Sequence, residues 1–214
     1  MWAAMLRAVT PLLFLLAACA GADDGDGMYK GYETPDWTVE ARDGAFEVRD
    51  VAPYLAAEVT YPGDPDRALR RGFRTLAGYI FGKNDGGAKV AMTAPVVREP
   101  AKLAMTAPVT READAGGWTV SFMMPKDRRR DTLPAPDDPA IRIVEVDPGR
   151  RAVLSFSGWA TEGRIARQAA ELDRLAAARG LRLQGPLAVA WFDDPFTLPW
   201  RRRNEVSRRI ADRG

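Results

Sequence analysis

Two residue types on which many nucleophilic and metal sites depend, histidine and cysteine, are nearly absent from this chain. It has no histidine and a single cysteine, Cys19. Imidazole is the base of Ser-His-Asp and Cys-His nucleophiles and a common zinc ligand, so these classes of site are excluded. The adjacent acids Asp137-Asp138 and Asp193-Asp194 lie in proline-rich segments, which is typical of solvated loops. The sequence therefore predicts a protein that is not an enzyme, with no catalytic residues and no metal site.

Two basic segments raise the question of an anion site. Gly82-Lys83-Asn84 follows a predicted helix instead of preceding one and lacks the Ser or Thr of a phosphate loop, so that interpretation is rejected. The run Arg201-Arg202-Arg203 could hold an anionic ligand or lipid headgroups, but a solvated charge run is the simpler interpretation. Because the net charge is only +2, no nucleic-acid partner is expected.

The N-terminal segment has the features of an export signal that ends at Cys19. Arg7 precedes a leucine-rich run at 12–16, which is shorter than the roughly 20 apolar residues that cross a bilayer. Leu16-Ala17-Ala18-Cys19 is similar to a bacterial lipobox, in which the thiol is acylated and the chain is cut before it. The alternative is a chance cysteine in an ordinary signal peptide.

These features predict a domain organisation and a location. Residues 1–18 are expected to be a lipoprotein signal peptide, residues 19–28 a flexible linker after lipidated Cys19, and residues 29–214 a single domain. Bacterial lipoproteins that lack an Asp directly after the cysteine usually travel to the outer membrane. By this resemblance, Ala20 favours the periplasmic face of the outer membrane. With Cys19 acylated no disulfide can form, so the domain must be stabilised by packing alone. We expect a monomer that is anchored to the membrane by its lipid.

The elements that must position a binding site follow from hydrophobic periodicity. Residues 46–49 and 54–61 predict two paired strands. Asp64 and Pro65 predict the start of a helix that ends before Gly82. Its arginines are expected in water, and its apolar face is made of Leu69, Phe73, Leu76 and Ile80.

A duplicated hexapeptide follows this helix, because Ala-Met-Thr-Ala-Pro-Val occurs at 91–96 and again at 104–109. It predicts a pair of strands or a hairpin with the prolines at edges or bulges, and direct chemistry by either copy is the alternative. The next strand is expected to place an apolar face on the core, with Trp118, Val120, Phe122 and Met124 on that face.

The second half of the chain repeats the order of the first. Strands are predicted at 141–146 and 152–157 on either side of a turn, then a helix over about 161–179 and a buried strand at 187–191. A short closing strand is expected at 204–206. The repetition predicts an α+β fold: a distorted antiparallel β-barrel of two pseudo-symmetric strand-strand-helix-strand halves with two main helices.

The chain resembles the SOUL haem-binding family from Tyr32-Glu33 to Glu205-Val206. Several sequence blocks carry this resemblance, namely Tyr79-Ile80-Phe81-Gly82-Lys83-Asn84, the two Met-Thr-Ala-Pro-Val copies, Phe122-Met123-Met124-Pro125, Leu133-Pro134-Ala135-Pro136, Phe156-Ser157-Gly158 and Arg202-Arg203-Asn204-Glu205-Val206. The resemblance implies an effector-binding-domain fold with two pseudo-symmetric halves, which agrees with the periodicity.

The resemblance also implies reversible binding of haem or a related tetrapyrrole in an apolar cleft beside the first helix. Carried over by position, the cleft uses Arg70, Phe73 and Ala77 of the helix and Leu198 of the late loop. Animal members have one lysine in the helix and one in the loop, where this chain has Gly78 and Leu198. Histidine ligation of iron is impossible here, which leaves Met, Tyr or no protein ligand.

We therefore expect a lipid-anchored, non-enzymatic protein that binds haem, another tetrapyrrole or a similar planar, hydrophobic anion by burial plus charge contact. The methionines at 92, 105, 123 and 124 are interpreted as core filler. The first alternative is an envelope structural or interaction protein with no small-molecule ligand. The second is a hydrolase or isomerase that acts through Glu205 or another acid, although Glu205 is expected to form structural ion pairs.

Overall fold

The computed structural model describes residues 27–101 and 117–211. The predicted α+β fold is confirmed, because two helices pack on a large curled antiparallel sheet that forms a half-barrel. The helices are α1 (Pro65–Ile80) and α2 (Glu162–Ala178). The strands are β1 (Met28–Tyr29), β2 (Tyr32–Glu33), β3 (Trp37–Asp43), β4 (Phe46–Val51), β5 (Tyr54–Pro62), β6 (Val96–Pro100), β7 (Gly117–Met123), β8 (Arg142–Val146), β9 (Gly149–Phe156), β10 (Leu183–Trp191) and β11 (Asn204–Ile210).

The described strands form a small β1-β2 sheet and a nine-stranded sheet with the order β3-β4-β9-β11-β10-β6-β7-β5-β8. This order contains the predicted pseudo-symmetry. Read outward from the central β10-β6 pair, β11, β9 and β4 on one side correspond to β7, β5 and β8 on the other. Helix α1 packs on β5 and β7, and α2 packs on β9, β10 and β11. Each half therefore has its own helix-covered apolar core.

The predicted pairing of the first two strands is wrong. β4 pairs with β3 and β9, whereas β5 pairs with β7 and β8 in the other half. The reason is that consecutive strands belong to different halves of the sheet. β4 pairs with β9 in the half covered by α2, whereas β8 pairs with β5 in the half covered by α1. Val51 pairs with Gly149 and Tyr54 pairs with Val146, so the two short connections run side by side as the chain crosses between halves.

Other strand predictions need correction as well. Residues 204–206 are not a short closing strand, because β11 runs from Asn204 to Ile210 between β9 and β10. Strand β3 was not predicted. The first hexapeptide copy is irregular up to Pro95, and strand β6 begins only at Val96. The second copy, Cys19 and residues 1–26 lie outside the described residues.

Helix α1 begins and ends as its sequence predicts. The Asp64 side chain accepts a hydrogen bond from the backbone N–H of Arg67 at 2.9 Å, and Pro65 occupies the first turn, where no N–H is needed. After Ile80 the chain leaves the helix, and Gly82 adopts a φ of 109° that favours glycine. The helix buries Leu76, Ile80 and three further residues, Ala68, Gly72 and Tyr79, against the sheet.

Gly72 marks the closest approach of α1 to the sheet. A Cβ added at Gly72 would lie 2.6 Å from Cβ of Val120 on β7, which is far inside van der Waals contact. We expect Gly72→Ala to destabilise the domain by about 1–3 kcal/mol, because the helix must move off the sheet. The matched control is Gly163→Ala in α2, where nothing lies within 4 Å and alanine should be neutral or slightly stabilising. Urea unfolding measures both, and equal effects would contradict this account of the packing.

A buried arginine lies where the two halves meet. Arg98 on β6 is 1% exposed and stacks near the rings of Trp118 and Trp191, with its guanidinium carbon 4.9 Å and 5.4 Å from their centroids. Its Nη1 lies 2.8 Å from a Glu162 carboxylate oxygen in the first turn of α2 and 3.8 Å from Asp66 in the first turn of α1. The arginine therefore links the N-terminal ends of both helices across the central strands.

Candidate ligand-binding site

An open cavity of about 600 Å³ lies beside α1. One flank of the helix forms its first wall, the hexapeptide segment 92–96 forms its second, and the end of β10 with the following residues forms its third. Most of the lining is apolar. The lining residues are Tyr32, Leu69, Arg70, Phe73, Arg74, Ala77, Met92, Thr93, Ala94, Val96, Trp191, Phe192, Asp193, Asp194, Pro195 and Arg202.

Helical spacing brings three of the four residues carried over by resemblance into one wall. Arg70, Phe73 and Ala77 stand three and four positions apart on α1, so they lie on one flank, and all three line the cavity. The Phe73 ring packs edge-on against Phe122 of β7, with centroids 5.4 Å apart. This contact anchors the helix side of the cavity to the core. A role for these residues in ligand binding remains a prediction.

Leu198 is not among the residues that line the described cavity. It lies in the loop between β10 and β11, is 48% exposed and precedes a short 3-10 turn. The same loop contributes Pro195 and Arg202 to the cavity instead. Thus the structure groups Arg70, Phe73 and Ala77 but does not bring Leu198 into the cavity wall with them.

The hexapeptide wall is held by hydrogen bonds to two other elements. The Thr93 hydroxyl donates to the Met123 carbonyl at 2.6 Å, and the Ala94 N–H donates to the Glu33 carbonyl at 2.9 Å. These bonds place Met92 in the lining, while Met123 and Met124 are buried at 3% and 1% exposure. The core-filler interpretation fits those two, and Met92 is partly buried, packs against the core of the α1 half and also lines the cavity, while Met105 lies outside the described residues.

Asp193 is not the solvated loop residue that its proline-rich context predicted, because its side chain is 3% exposed. It accepts hydrogen bonds from Tyr29 Oη at 3.1 Å, Lys30 Nζ at 2.5 Å and the Arg203 N–H at 2.6 Å. Burial raises the pKa of Tyr29, so its phenol stays protonated and donates to the carboxylate. Asp193 therefore fixes the third wall to the N-terminal β1-β2 sheet.

The cavity rim carries more positive than negative charge. Arg70 and Arg74 on α1 are exposed, and Arg202 of the loop also belongs to the lining, with its guanidinium bound to loop carbonyls. Of the two acids in the lining, Asp193 is paired with Lys30 and Asp194 accepts backbone N–H groups of its own loop. An apolar interior with a cationic rim is suited to a hydrophobic ligand that carries acidic groups at its edge.

The amino-acid sequence matches the model of the SOUL heme-binding protein family over residues 32–209. The chain belongs to the SOUL family. It is 26% identical over 199 residues to heme-binding protein 2 of Mus musculus, covering 89% of this chain and 90% of that protein. It is 27% identical over 190 residues to heme-binding protein 1 of Sus scrofa, covering 85% of this chain and 94% of that protein.

Solved structures show the same fold at greater distance. The structure of a hydrolase from Listeria innocua superposes on this SOUL chain with a TM-score of 0.53 and 15% identity, covering 80% of this chain and 94% of that one. At this identity the likeness concerns the fold alone. It agrees with the effector-binding-domain architecture that the sequence blocks imply.

A buried ionic cluster occupies the face of the SOUL sheet away from the helices. Arg49 on β4 donates two hydrogen bonds to the Glu205 carboxylate, at 3.0 and 3.1 Å, and also pairs with Glu47. Arg203 and Ser155 bind the same carboxylate at 3.0 and 3.2 Å. The predicted structural ion pairs of Glu205 are therefore confirmed.

The pKa of Glu205 reflects two opposing influences. Complete burial by itself would raise it, but the positive charges and hydrogen bonds of Arg49 and Arg203 outweigh burial and hold the pKa below its ordinary value. The carboxylate is thus ionised and fully engaged at neutral pH. It is not among the residues that line the described cavity.

Within residues 27–101 and 117–211, no group of three or more acidic, cysteine or histidine side chains is placed to hold a metal ion. None of the helices in these ranges is long and apolar enough to cross a membrane.

Several lining residues were missed by sequence reasoning. Arg74 follows Arg70 by four positions, so helical spacing could have identified it. Arg202 lies in a run that the sequence predicts to be solvated, and Trp191 lies in a predicted buried strand. Tyr32 and Met92 carry no local signal, because only the fold brings their segments to α1.

Proposed function

We propose that this SOUL protein binds haem, another tetrapyrrole or a similar planar, hydrophobic anion, without catalysing a reaction and without histidine ligation. The observation that carries the proposal is the open apolar cavity beside α1 with Arg70, Arg74 and Arg202 at its rim. Family membership supports haem or a tetrapyrrole as the ligand. The cavity volume of about 600 Å³ is within the range of small-molecule sites.

The residues present fit a ligand held by its faces and edges. Phe73, Trp191 and Phe192 offer apolar and aromatic surface to a flat ring, and the rim arginines offer charge to carboxylates. Met92 and Tyr32 are the side chains in the described lining that could contact an iron ion. We propose that burial and charge contribute most of the affinity, with weak iron coordination or none.

Titration of the full chain with haem and with iron-free protoporphyrin tests this proposal. Because coordination contributes little, the two dissociation constants should differ by less than about tenfold, or ~1.4 kcal/mol. A shift of the Soret band reports binding of either ligand. Trp191 lines the cavity, so tryptophan fluorescence should be quenched in parallel.

The variant Arg70→Glu separates occupancy of the cavity from adsorption elsewhere. It reverses a charge in the cavity lining and should weaken binding of both ligands about tenfold, whereas Arg167→Glu on the exposed side of α2 should bind them as wild type does. No Soret change with either ligand would refute the proposal. Haem binding more than about 100-fold tighter than porphyrin binding would show that an iron ligand carries the affinity instead.

Two alternatives are less well supported. A structural envelope protein without a ligand should have this cavity filled by its own side chains, but the cavity is open. A hydrolase that uses Glu205 needs a carboxylate free to exchange protons, whereas Arg49, Arg203 and Ser155 engage this one.

We propose that the protein is a monomer attached through lipidated Cys19 to the periplasmic face of the outer membrane. Cys19→Ser should abolish incorporation of a labelled fatty acid, because it removes the acylated thiol. Measuring the label in immunoprecipitated wild-type and variant protein checks this result. Ala20→Ser, beside the cysteine, is the control and should retain the label. Equal labelling of Cys19→Ser would contradict the lipobox assignment.

A further inference from the structure

Residues 194–202, within the connection between β10 and β11, present large apolar side chains to solvent. Phe196 is 93% exposed, Trp200 70% and Leu198 48%. Trp159, in the connection between β9 and α2, is 58% exposed and belongs to the same surface, because the neighbouring Gly158 N–H donates to the Pro199 carbonyl at 2.7 Å. Four large apolar side chains together form the kind of surface that proteins use for contact with another molecule. We name this surface, made of loop 194–202 and Trp159, the aromatic surface.

Hydrogen bonds within the loop hold this surface in its outward-facing shape. The Asp194 carboxylate accepts the backbone N–H groups of Phe196 and Thr197 at 2.7 and 2.9 Å. The Arg202 guanidinium donates to the Pro195 and Thr197 carbonyls at 2.5 and 2.8 Å. The polar side chains of the loop thus satisfy part of its backbone, while Phe196, Leu198 and Trp200 stay exposed to solvent.

Positive charge surrounds these apolar side chains. Arg201 is exposed within the loop, and Arg202 stacks on Trp159, with its guanidinium carbon 4.1 Å from the ring centroid. Arg70 and Arg74 stand across the cavity, whose lining also includes loop residues. The acids of this region, Asp193 and Asp194, are paired with Lys30 and with backbone N–H groups.

We propose that the aromatic surface docks the domain on a lipid bilayer that contains anionic lipids, with Phe196 and Trp200 inserted at the level of the headgroups. Tryptophan and phenylalanine beside arginine are typical of the membrane interface, where the rings enter the apolar boundary and the cations bind lipid phosphates. The charge of the rim is complementary to such a surface, which favours a bilayer over a neutral protein partner.

Docking in this orientation has a consequence for the cavity, and this step rests on the proposed function. Pro195 and Arg202 belong to both the aromatic surface and the cavity lining. The rim would therefore lie close to the headgroups, so that a hydrophobic ligand could pass between bilayer and cavity with little exposure to water.

A fluorescent label on the aromatic surface tests the docking directly. The full chain carries Cys19→Ser, so that its sole thiol is removed, and Phe196→Cys, which is labelled with bimane. Vesicles of phosphatidylethanolamine and phosphatidylglycerol, with brominated acyl chains, are then added. The label should shift to shorter wavelength and be quenched by the bromine, because it enters the interface. The paired control places the label at Arg167→Cys on the exposed side of α2, where it should stay in water even if another segment tethers the chain.

Second changes in the labelled protein identify what drives insertion. Trp200→Ser should raise the lipid concentration that gives half-maximal quenching about tenfold, and Arg201→Gln should raise it about fivefold. Replacing phosphatidylglycerol with phosphatidylcholine should weaken it as well. Quenching that is absent, or equal at positions 196 and 167, would overturn the proposal. A label that stays in water with vesicles but is buried by another protein would assign the surface to that protein. Haem titration in solution does not depend on docking, so failure here is distinguishable from failure of the proposed function.

Discussion

Tryptophan in place of Ala77 is expected to weaken haem and porphyrin binding by at least about 100-fold, or ~2.7 kcal/mol. Ala77 lies on the flank of α1 that lines the cavity, one turn beyond Phe73, so an indole there would fill the space proposed for the ligand. The fold should survive, because the added ring occupies open volume and not packed core. Titration followed at the Soret band gives the change in affinity.

The matched control is Ala166→Trp on the exposed side of α2, which adds the same ring to a helix outside the cavity. This variant should bind the ligands as wild type does. Thermal unfolding of both variants should stay close to that of the wild type, which separates a blocked cavity from a damaged fold. Unchanged affinity in Ala77→Trp would show that the ligand binds elsewhere.

The second large effect concerns the buried ionic cluster. Arg49→Met should lower the free energy of unfolding by about 3–5 kcal/mol, because it leaves the Glu205 and Glu47 carboxylates buried without their shared cation. Urea unfolding followed by circular dichroism measures the loss. The control is Glu40→Gln, which breaks an ion pair with Arg150 at the surface and should cost less than about 1 kcal/mol. A loss in Arg49→Met no larger than in the control would contradict the structural role of the cluster.

The pH dependence of stability gives an independent reading of the same cluster. The pKa of Glu205 is lower in the folded protein than in the unfolded chain, so its contribution is fully present above about pH 4.3 and is lost as the pH falls through the folded pKa. Glu205→Gln should be less stable than wild type at neutral pH but should lose less stability between neutral and acidic pH. Parallel pH profiles for the two proteins would rule out this assignment.

Family membership and cavity geometry bear on different parts of the functional proposal. Membership connects the chain with proteins named for haem binding, whereas the cavity shows how a ligand could be held without imidazole. We propose that the aromatic side chains in the lining, the open volume and the rim arginines together hold a flat anion. The comparison between haem and iron-free porphyrin is therefore the measurement that separates enclosure of a tetrapyrrole from coordination of its iron.

The amino-acid sequence by itself determined both helices and their ends. Asp64 and Pro65 at the start of α1 and the periodic apolar residues of α2 act through neighbours within a few positions, so they can be identified without the fold. The missing histidine and the blocks of the SOUL family were equally visible in the sequence. Helical spacing also grouped Arg70, Phe73 and Ala77, the part of the cavity that a single element provides.

Only the tertiary structure decided which strands pair and which loop charges are buried. The exchange of β4 and β8 between halves depends on contacts between segments far apart in the chain, for which alternating apolar residues give no partner. Asp193 and Arg202 look like solvated loop charges until Lys30 and the loop carbonyls are brought to them. Whether a charged side chain is buried depends on the segments that pack around it and not on its residue type. For this reason the complete cavity could not be predicted from the sequence.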